Sequence, residues 1–159
     1  MIKLFDGDLL ESGADIIAHQ VNCQGKMNSG VAKQIREKYP KAFEEYVNLC
    51  GKYEDSSGLL GMAQPVIVDE NTTVANLFTQ NRYGYDGKQY TDVKALGKAL
   101  SVLKYGKKSY EALLNKPVRV AIPWKIGCVR GGANWEEVYT MISEIFEDSE
   151  IELWRYDKG

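Results

Sequence analysis

Apolar positions change period several times along the chain, and each change marks an element. "IKLF" is a short apolar run that stops at Asp6-Gly7-Asp8 and predicts a first strand. "ADIIAHQV" predicts a second, with buried-strand character at Ile16, Ile17 and Val21. The period then becomes helical. Ser29 is placed to cap a helix that runs to about Lys38, and Pro40 opens another, "PKAFEEYVNLCGKY", at a first-turn position where its missing N–H costs little. Phe43, Tyr46, Val47 and Cys50 fall on one face of that helix. "GLLGMAQPVIV" and "TTVANLFT" read as two strands around the turn "DEN". Thr91 or Asp92 then opens a long helix with Val93, Leu96, Leu100 and Leu103 on its buried stripe. "PVRVAIP" is a central strand. Asn134 caps the helix "WEEVYTMISEIFED", whose acidic first turn suits the helix dipole, and "EIELWRY" is a last strand.

Strands alternating with helices predict an α/β sandwich with a largely parallel, mixed sheet. A chain of 159 residues suits one domain, 1–159, and no repeat or low-complexity linker divides it. The composition, 44% hydrophobic and 26% charged, is that of a soluble globular protein. A net charge of −2 argues against bulk electrostatic binding of nucleic acid, and leaves room for a small anion held by local donors. No apolar run approaches the roughly 20 residues of a membrane span. Cys23, Cys50 and Cys128 lie far apart and form no zinc pattern, so no metal site is expected. Their odd number, without a signal peptide, suggests a reducing cytoplasm. Nothing points to an oligomer, and a monomer is the default.

Chemistry concentrates in two glycine-rich loops, "NCQGKMNSG" and "IGCVRGGAN". Each follows a strand and precedes a helix. Small residues let backbone N–H groups approach a phosphate, and a helix N-terminus adds favourable partial charge. Together the loops suit a diphosphate held between them. Neither matches the GxxxxGK[ST] or GxGxxG pattern, so a P-loop kinase and a dinucleotide-dependent dehydrogenase have little support.

"FDGDLL", "IIAHQVNCQGKMNSGVAKQI" and "IPWKIGCVRGGANWEEV" stand in an order and spacing that resemble the macrodomain family over nearly the whole chain. The nearest likeness is to the branch of ADP-ribose 1″-phosphate phosphatases and terminal ADP-ribose protein glycohydrolases. The fold this implies is a three-layer α/β/α macrodomain with a central mixed sheet, and the ligand is ADP-ribose or a derivative, with no cofactor.

By the same resemblance, Asp8 accepts a hydrogen bond from the adenine amino group beside the Leu9 backbone, and Tyr156 lies against the adenine. Asn22 contacts the distal ribose, and Met27, Asn28, Ser29, Gly30 and Val31 wrap that ribose and the phosphates. Ile126, Gly127, Cys128, Val129, Arg130 and Gly131 surround the diphosphate, largely through backbone N–H groups. Plainer roles stay open: Asp8 as a turn residue, Tyr156 as an edge tyrosine, Asn22 bonding the backbone, Arg130 facing solvent, Cys128 as a small packing residue. The loop "NRYGYDGKQY" is either a lid or a surface feature.

The glycohydrolases place a nucleophilic lysine after a strand and an aspartate in the second loop. The matching stretches here are "LFTQN", with Thr79 and Gln80, and "GCVRGG", with Gly131. An amide forms no imine and a glycine moves no proton, so the lysine mechanism is not expected. The phosphatases carry a histidine that matches His19, the one histidine in the chain. An imidazole can act as general base or orient water, and a buried structural role is the alternative. Lys26 replaces a serine of the phosphatases and is either a point charge for a terminal phosphate or a solvated loop residue. The leading expectation is hydrolysis of ADP-ribose 1″-phosphate with His19 as the catalytic residue. The alternatives are a non-catalytic ADP-ribose reader and a de-ADP-ribosylating hydrolase without a lysine nucleophile.

Overall fold

The computed structural model describes residues 1–84 and 86–156. Six strands form one sheet: β1 (Ile2–Asp6), β2 (Ile16–Asn22), β3 (Ala63–Ile67), β4 (Thr73–Gln80), β5 (Val120–Pro123) and β6 (Ile151–Arg155). Their order is β1-β6-β5-β2-β4-β3. All neighbours are parallel except β3 and β4, which makes the sheet mixed, as expected. The edge strands are β1 and β3, and β3 carries Pro65 at its centre.

Four helices cover the sheet: α1 (Gly30–Lys38), α2 (Pro40–Gly51), α3 (Val93–Leu114) and α4 (Trp135–Ile145). Alternate residues of each strand face opposite layers. Ile16, Ala18, Ala75, Leu77, Val120 and Ile122 pack with Leu96 and Leu100 of α3 and Val138 and Ile142 of α4. Ile17, Val74 and Ala121, on the other face, pack with Ile35 of α1 and Ala42 of α2. A third cluster on that face joins Val21, Phe78, Met27, Tyr46 and Leu59. The layers are therefore α1/α2, sheet, α3/α4. No helix among the described residues is long and apolar enough to cross a membrane.

Caps follow the sequence at two helices. Asp92 accepts from the Ala95 amide at 3.0 Å, and Asn134 from the Glu137 amide at 3.0 Å. Ser29 takes the N-cap position of α1 with extended backbone, but its side chain does not bond that helix's amides. Two expectations are corrected. The stretch "GLLG" is the end of a 3-10 helix and a turn, and β3 begins only at Ala63. Val47 is 37% exposed, because α2 turns Ala42 and Tyr46 to the sheet.

Candidate functional site

Helix α1 leaves β2 toward one face, and α4 leaves β5 toward the other, although β2 and β5 are neighbours. Such a switch point opens a crevice beyond the carboxyl ends of the strands. A cavity of about 260 Å³ lies there, between the two glycine-rich loops.

Asn22, the last residue of β2, organises the first loop. Its Oδ1 accepts from the Gln24 amide at 2.9 Å, and its Nδ2 donates to Lys26 O at 2.9 Å. The Tyr46 hydroxyl, reaching up from α2, donates to Asn22 O at 2.6 Å and accepts from the Lys26 amide at 3.1 Å. Burial holds the Tyr46 phenol far above its ordinary pKa, so it stays a neutral donor. Ser56 bonds Cys23 O from below. The loop rests on Met27, whose side chain is 0% exposed in the third cluster. Gly30, Val31 and Ala32, at the first turn of α1, line the cavity. The first N–H groups of a helix have no intrahelical partner, so this turn presents donors to an anion.

The second loop turns by backbone conformation. Lys125, Gly127 and Gly132 have φ of 60°, 76° and 75°. The Cys128 amide returns to Lys125 O at 2.9 Å, and the Ala133 amide to Gly127 O at 3.1 Å. Thr91, just before α3, ties this loop in: its hydroxyl donates to Gly127 O at 2.8 Å and its amide to Gly131 O at 3.0 Å. A Cβ on Gly131 would lie 1.8 Å from the Thr91 Oγ1. Position 131 therefore has no room for a side chain in this arrangement. Gln80 donates from Nε2 to Arg82 O at 3.0 Å, and its Oε1 accepts from Gln20. Gln80 and Gly131, the positions that the resemblance matches to a reactive lysine and aspartate, thus hold a bonded amide and a packed glycine.

Twelve of the expected ligand residues line the cavity: Asn22, Lys26, Asn28, Ser29, Gly30, Val31, Gln80, Ile126, Gly127, Val129, Arg130 and Gly131. Met27 and Thr79 do not, since both are 0% exposed. The Thr79 carbonyl accepts from the Asp92 amide at 2.7 Å, so this residue seats α3. Cys128 packs against the α3/α4 core, with its thiol donating to Ile126 O at 3.4 Å. Burial raises that thiol's pKa, so it is no thiolate. Asp8 accepts from the Leu10 amide at 2.9 Å as the cap of a 3-10 turn, Leu9 is buried in the α1/α2 core, and Tyr156 is half exposed. These three stand outside the cavity wall, although β1 and β6 end on the same side of the parallel sheet. Tyr85 and residues 157–159 of the quoted stretches lie outside the described residues.

The catalytic assignment of His19 is corrected. Its ring is 1% exposed on the α1/α2 face and is not part of the cavity wall. Nε2 is 2.6 Å from Asn76 Oδ1. Asn76 Nδ2 donates to Ala42 O at 3.2 Å and to Gln64 Oε1 at 3.1 Å, which leaves Oδ1 as acceptor and makes Nε2 the protonated nitrogen. Nδ1 is buried without a partner. Burial, partly offset by the Asn76 bond, lowers the His19 pKa to about 4, so the ring is neutral at pH 7.

Sequence reasoning missed Gln20, Trp124 and Lys125, which all line the cavity, and Tyr83 and Gly84, from the loop weighed as a lid or a surface feature, line it as well. Trp124 is held by Trp135, with ring centroids 4.8 Å apart, and by Arg155 at 5.4 Å. The wall carries Lys26, Lys125 and Arg130, and no carboxylate or imidazole among the described residues. In a chain of net charge −2, the cleft is locally positive.

A scan against protein-family models finds no match. An ADP-ribose 1″-phosphate phosphatase of Debaryomyces hansenii is 30% identical over 162 residues, covering 79% of this chain and 89% of its own. A DNA ADP-ribosyl glycohydrolase of Mycobacterium tuberculosis is 26% identical over 148 residues, covering 92% of this chain. The chain spans only 39% of that glycohydrolase's length. Among solved structures, the macrodomain of Thermus aquaticus DarG superposes with a TM-score of 0.74 at 25% identity, covering 99% of this chain and 98% of its own. The similarity to the phosphatase over most of both chains, on a sheet and helix arrangement shared with that solved macrodomain, establishes that this chain belongs to the macrodomain family.

Proposed function

We propose that the chain binds ADP-ribose in the cleft between its two glycine-rich loops. The observation that carries this is the wall itself: two loops rich in backbone donors, a helix N-terminus and three cations, with no carboxylate among the described residues. A diphosphate fits the donors between the loops, and Trp124 offers a flat face to a base or sugar. Calorimetric titration with ADP-ribose tests the reading. Saturable binding supports it, and no heat at millimolar ligand overturns it.

A second reading is hydrolysis of ADP-ribose 1″-phosphate, supported by the phosphatase relative that this chain covers over 89% of its length. Water would attack phosphorus, the bond from phosphorus to the ribose oxygen would break, and phosphate and ADP-ribose would leave. Lys26 and the loop amides would stabilise the developing charge. His19 is given no chemical step, because its ring does not reach the cleft. Phosphate release from ADP-ribose 1″-phosphate checks this. Release that falls in Lys26→Ala at least about tenfold further than ADP-ribose affinity does supports it. Binding without release leaves a reader. A lysine-based glycohydrolase is not proposed, because Gln80 and Gly131 stand where its reactive pair would be.

A further inference from the structure

We propose that Gln20 is a positioning residue that latches the two glycine-rich loops together, so that the width of the cleft is set before any ligand arrives. Gln20 lies on β2, two residues before the first loop. Its Nε2 donates to Thr91 Oγ1 at 2.9 Å and also to Gln80 Oε1. Thr91 passes the connection on, donating from its hydroxyl to Gly127 O at 2.8 Å. One side-chain amide thus joins β2, the end of β4 and the second loop.

The direction of this chain is fixed by proton count. A hydroxyl carries one proton. With Gly127 O taking it, Thr91 Oγ1 must accept from Gln20, and the 3.3 Å approach of Thr91 to Gln20 Oε1 is secondary. An inverted Gln20 amide would set oxygen against Gln80 Oε1. The close packing of the second loop makes the latch specific. A Cβ on Gly127 would come within 2.8 Å of Gln20 Oε1, and one on Gly131 within 1.8 Å of Thr91 Oγ1. The loop is also tied by its own backbone bonds, by bonds to the Tyr90 and Thr91 amides and by the packing of Ile126, Cys128 and Ala133 in the core, and Gln20, acting through Thr91, adds a side-chain link from it to the central strand. A loop already fastened loses less conformational freedom when a ligand binds.

Amide hydrogen exchange on Gln20→Ala, Thr91→Val, the double variant and Thr91→Ser tests the latch without ligand. Exchange of the Tyr90, Thr91 and Ala133 amides should rise about tenfold in either single variant, no further in the double, and stay at the wild-type rate in Thr91→Ser, which keeps the hydroxyl. Amides of β6 should not change. Unaltered exchange at the three sites, or an equal rise in β6, overturns the proposal. The ligand arm rests on the ADP-ribose reading: affinity should fall about tenfold in Gln20→Ala and Thr91→Val and be kept in Thr91→Ser. Faster exchange with unchanged affinity overturns the claim that the latch presets the cleft. A wild-type protein that binds no ADP-ribose overturns the functional reading alone, and the exchange rates then decide the latch.

Discussion

The two faces of the sheet are built differently. Under α3 and α4 the apolar side chains join into one cluster. Under α1 and α2 they form two, one around Ile17 and Val74 and one around Val21 and Phe78. Between them, at the intervening positions of β2 and β4, stand His19 and Asn76, which are cross-strand partners. Apolar packing is strong but undirected. A buried polar group must find partners: Asn76 finds them at His19, at Ala42 O on α2 and at Gln64 on β3, while His19 is satisfied at Nε2 alone. Helix α2 is the element whose Tyr46 holds Asn22 and the first loop. The face that supports the first loop is thus specified by hydrogen bonds as well as by burial.

The largest way to break this comparison is on the apolar face. Leu100→Ala removes a fully buried side chain and should cost about 3 kcal/mol in urea unfolding, while ADP-ribose affinity of the remaining folded protein stays near wild type. A loss below about 1 kcal/mol would mean that this cluster is not the main source of stability.

His19 sharpens the other side. Its folded pKa is about 4, below the ordinary 6.5. Between those values the unfolded chain binds a proton that the folded chain does not, so stability is full above about pH 6.5. It falls by about 1.4 kcal/mol per pH unit down to pH 4 and then levels, as far as this group is concerned. His19→Gln removes the titration and keeps a donor for Asn76. Its stability should therefore vary less with pH across that window, and an identical profile would show that His19 does not set it.

Tyr46→Phe deletes only the hydroxyl and should cost about 1–2 kcal/mol, because Asn22 and the Lys26 amide lose a buried partner. The Lys26 amide should exchange faster, with α3 unaffected. Smallest is Lys125→Gly on the second loop, which relieves a left-handed backbone at a non-glycine residue. It should raise stability by at most about 1 kcal/mol, with glycine's added entropy offsetting part of the gain.

The alternation of periods was enough to order the strands and helices, because each element has its own repeat and a readable cap, as at Asp92 and Asn134. The face on which a residue lies was harder. Strand β2 is buried on both sides, so its sequence shows no polar-apolar alternation, and nothing in "IIAHQVN" says that His19 looks toward α2. Gln20 was passed over for the same reason, although a polar residue near the end of a buried strand, just before a glycine loop, is a usable signal. Trp124 stood in a quoted motif but was legible only once Trp135 and Arg155 were seen to hold its ring. Met27 failed in the opposite way: its neighbours in the loop line the cleft, while its apolar side chain is drawn into the core.

Pro65 has a consequence at the scale of many molecules. An open sheet edge is a template on which a second chain can add a strand, and β3 is such an edge. At the centre of that strand proline has no N–H to offer, so an incoming strand would meet a gap in the hydrogen-bond ladder. At the opposite edge, β1 carries Lys3, ion-paired with Glu150 at 2.9 Å, and a charge there is costly to bury under a new strand. Both margins of the sheet are thereby protected against edge-to-edge aggregation.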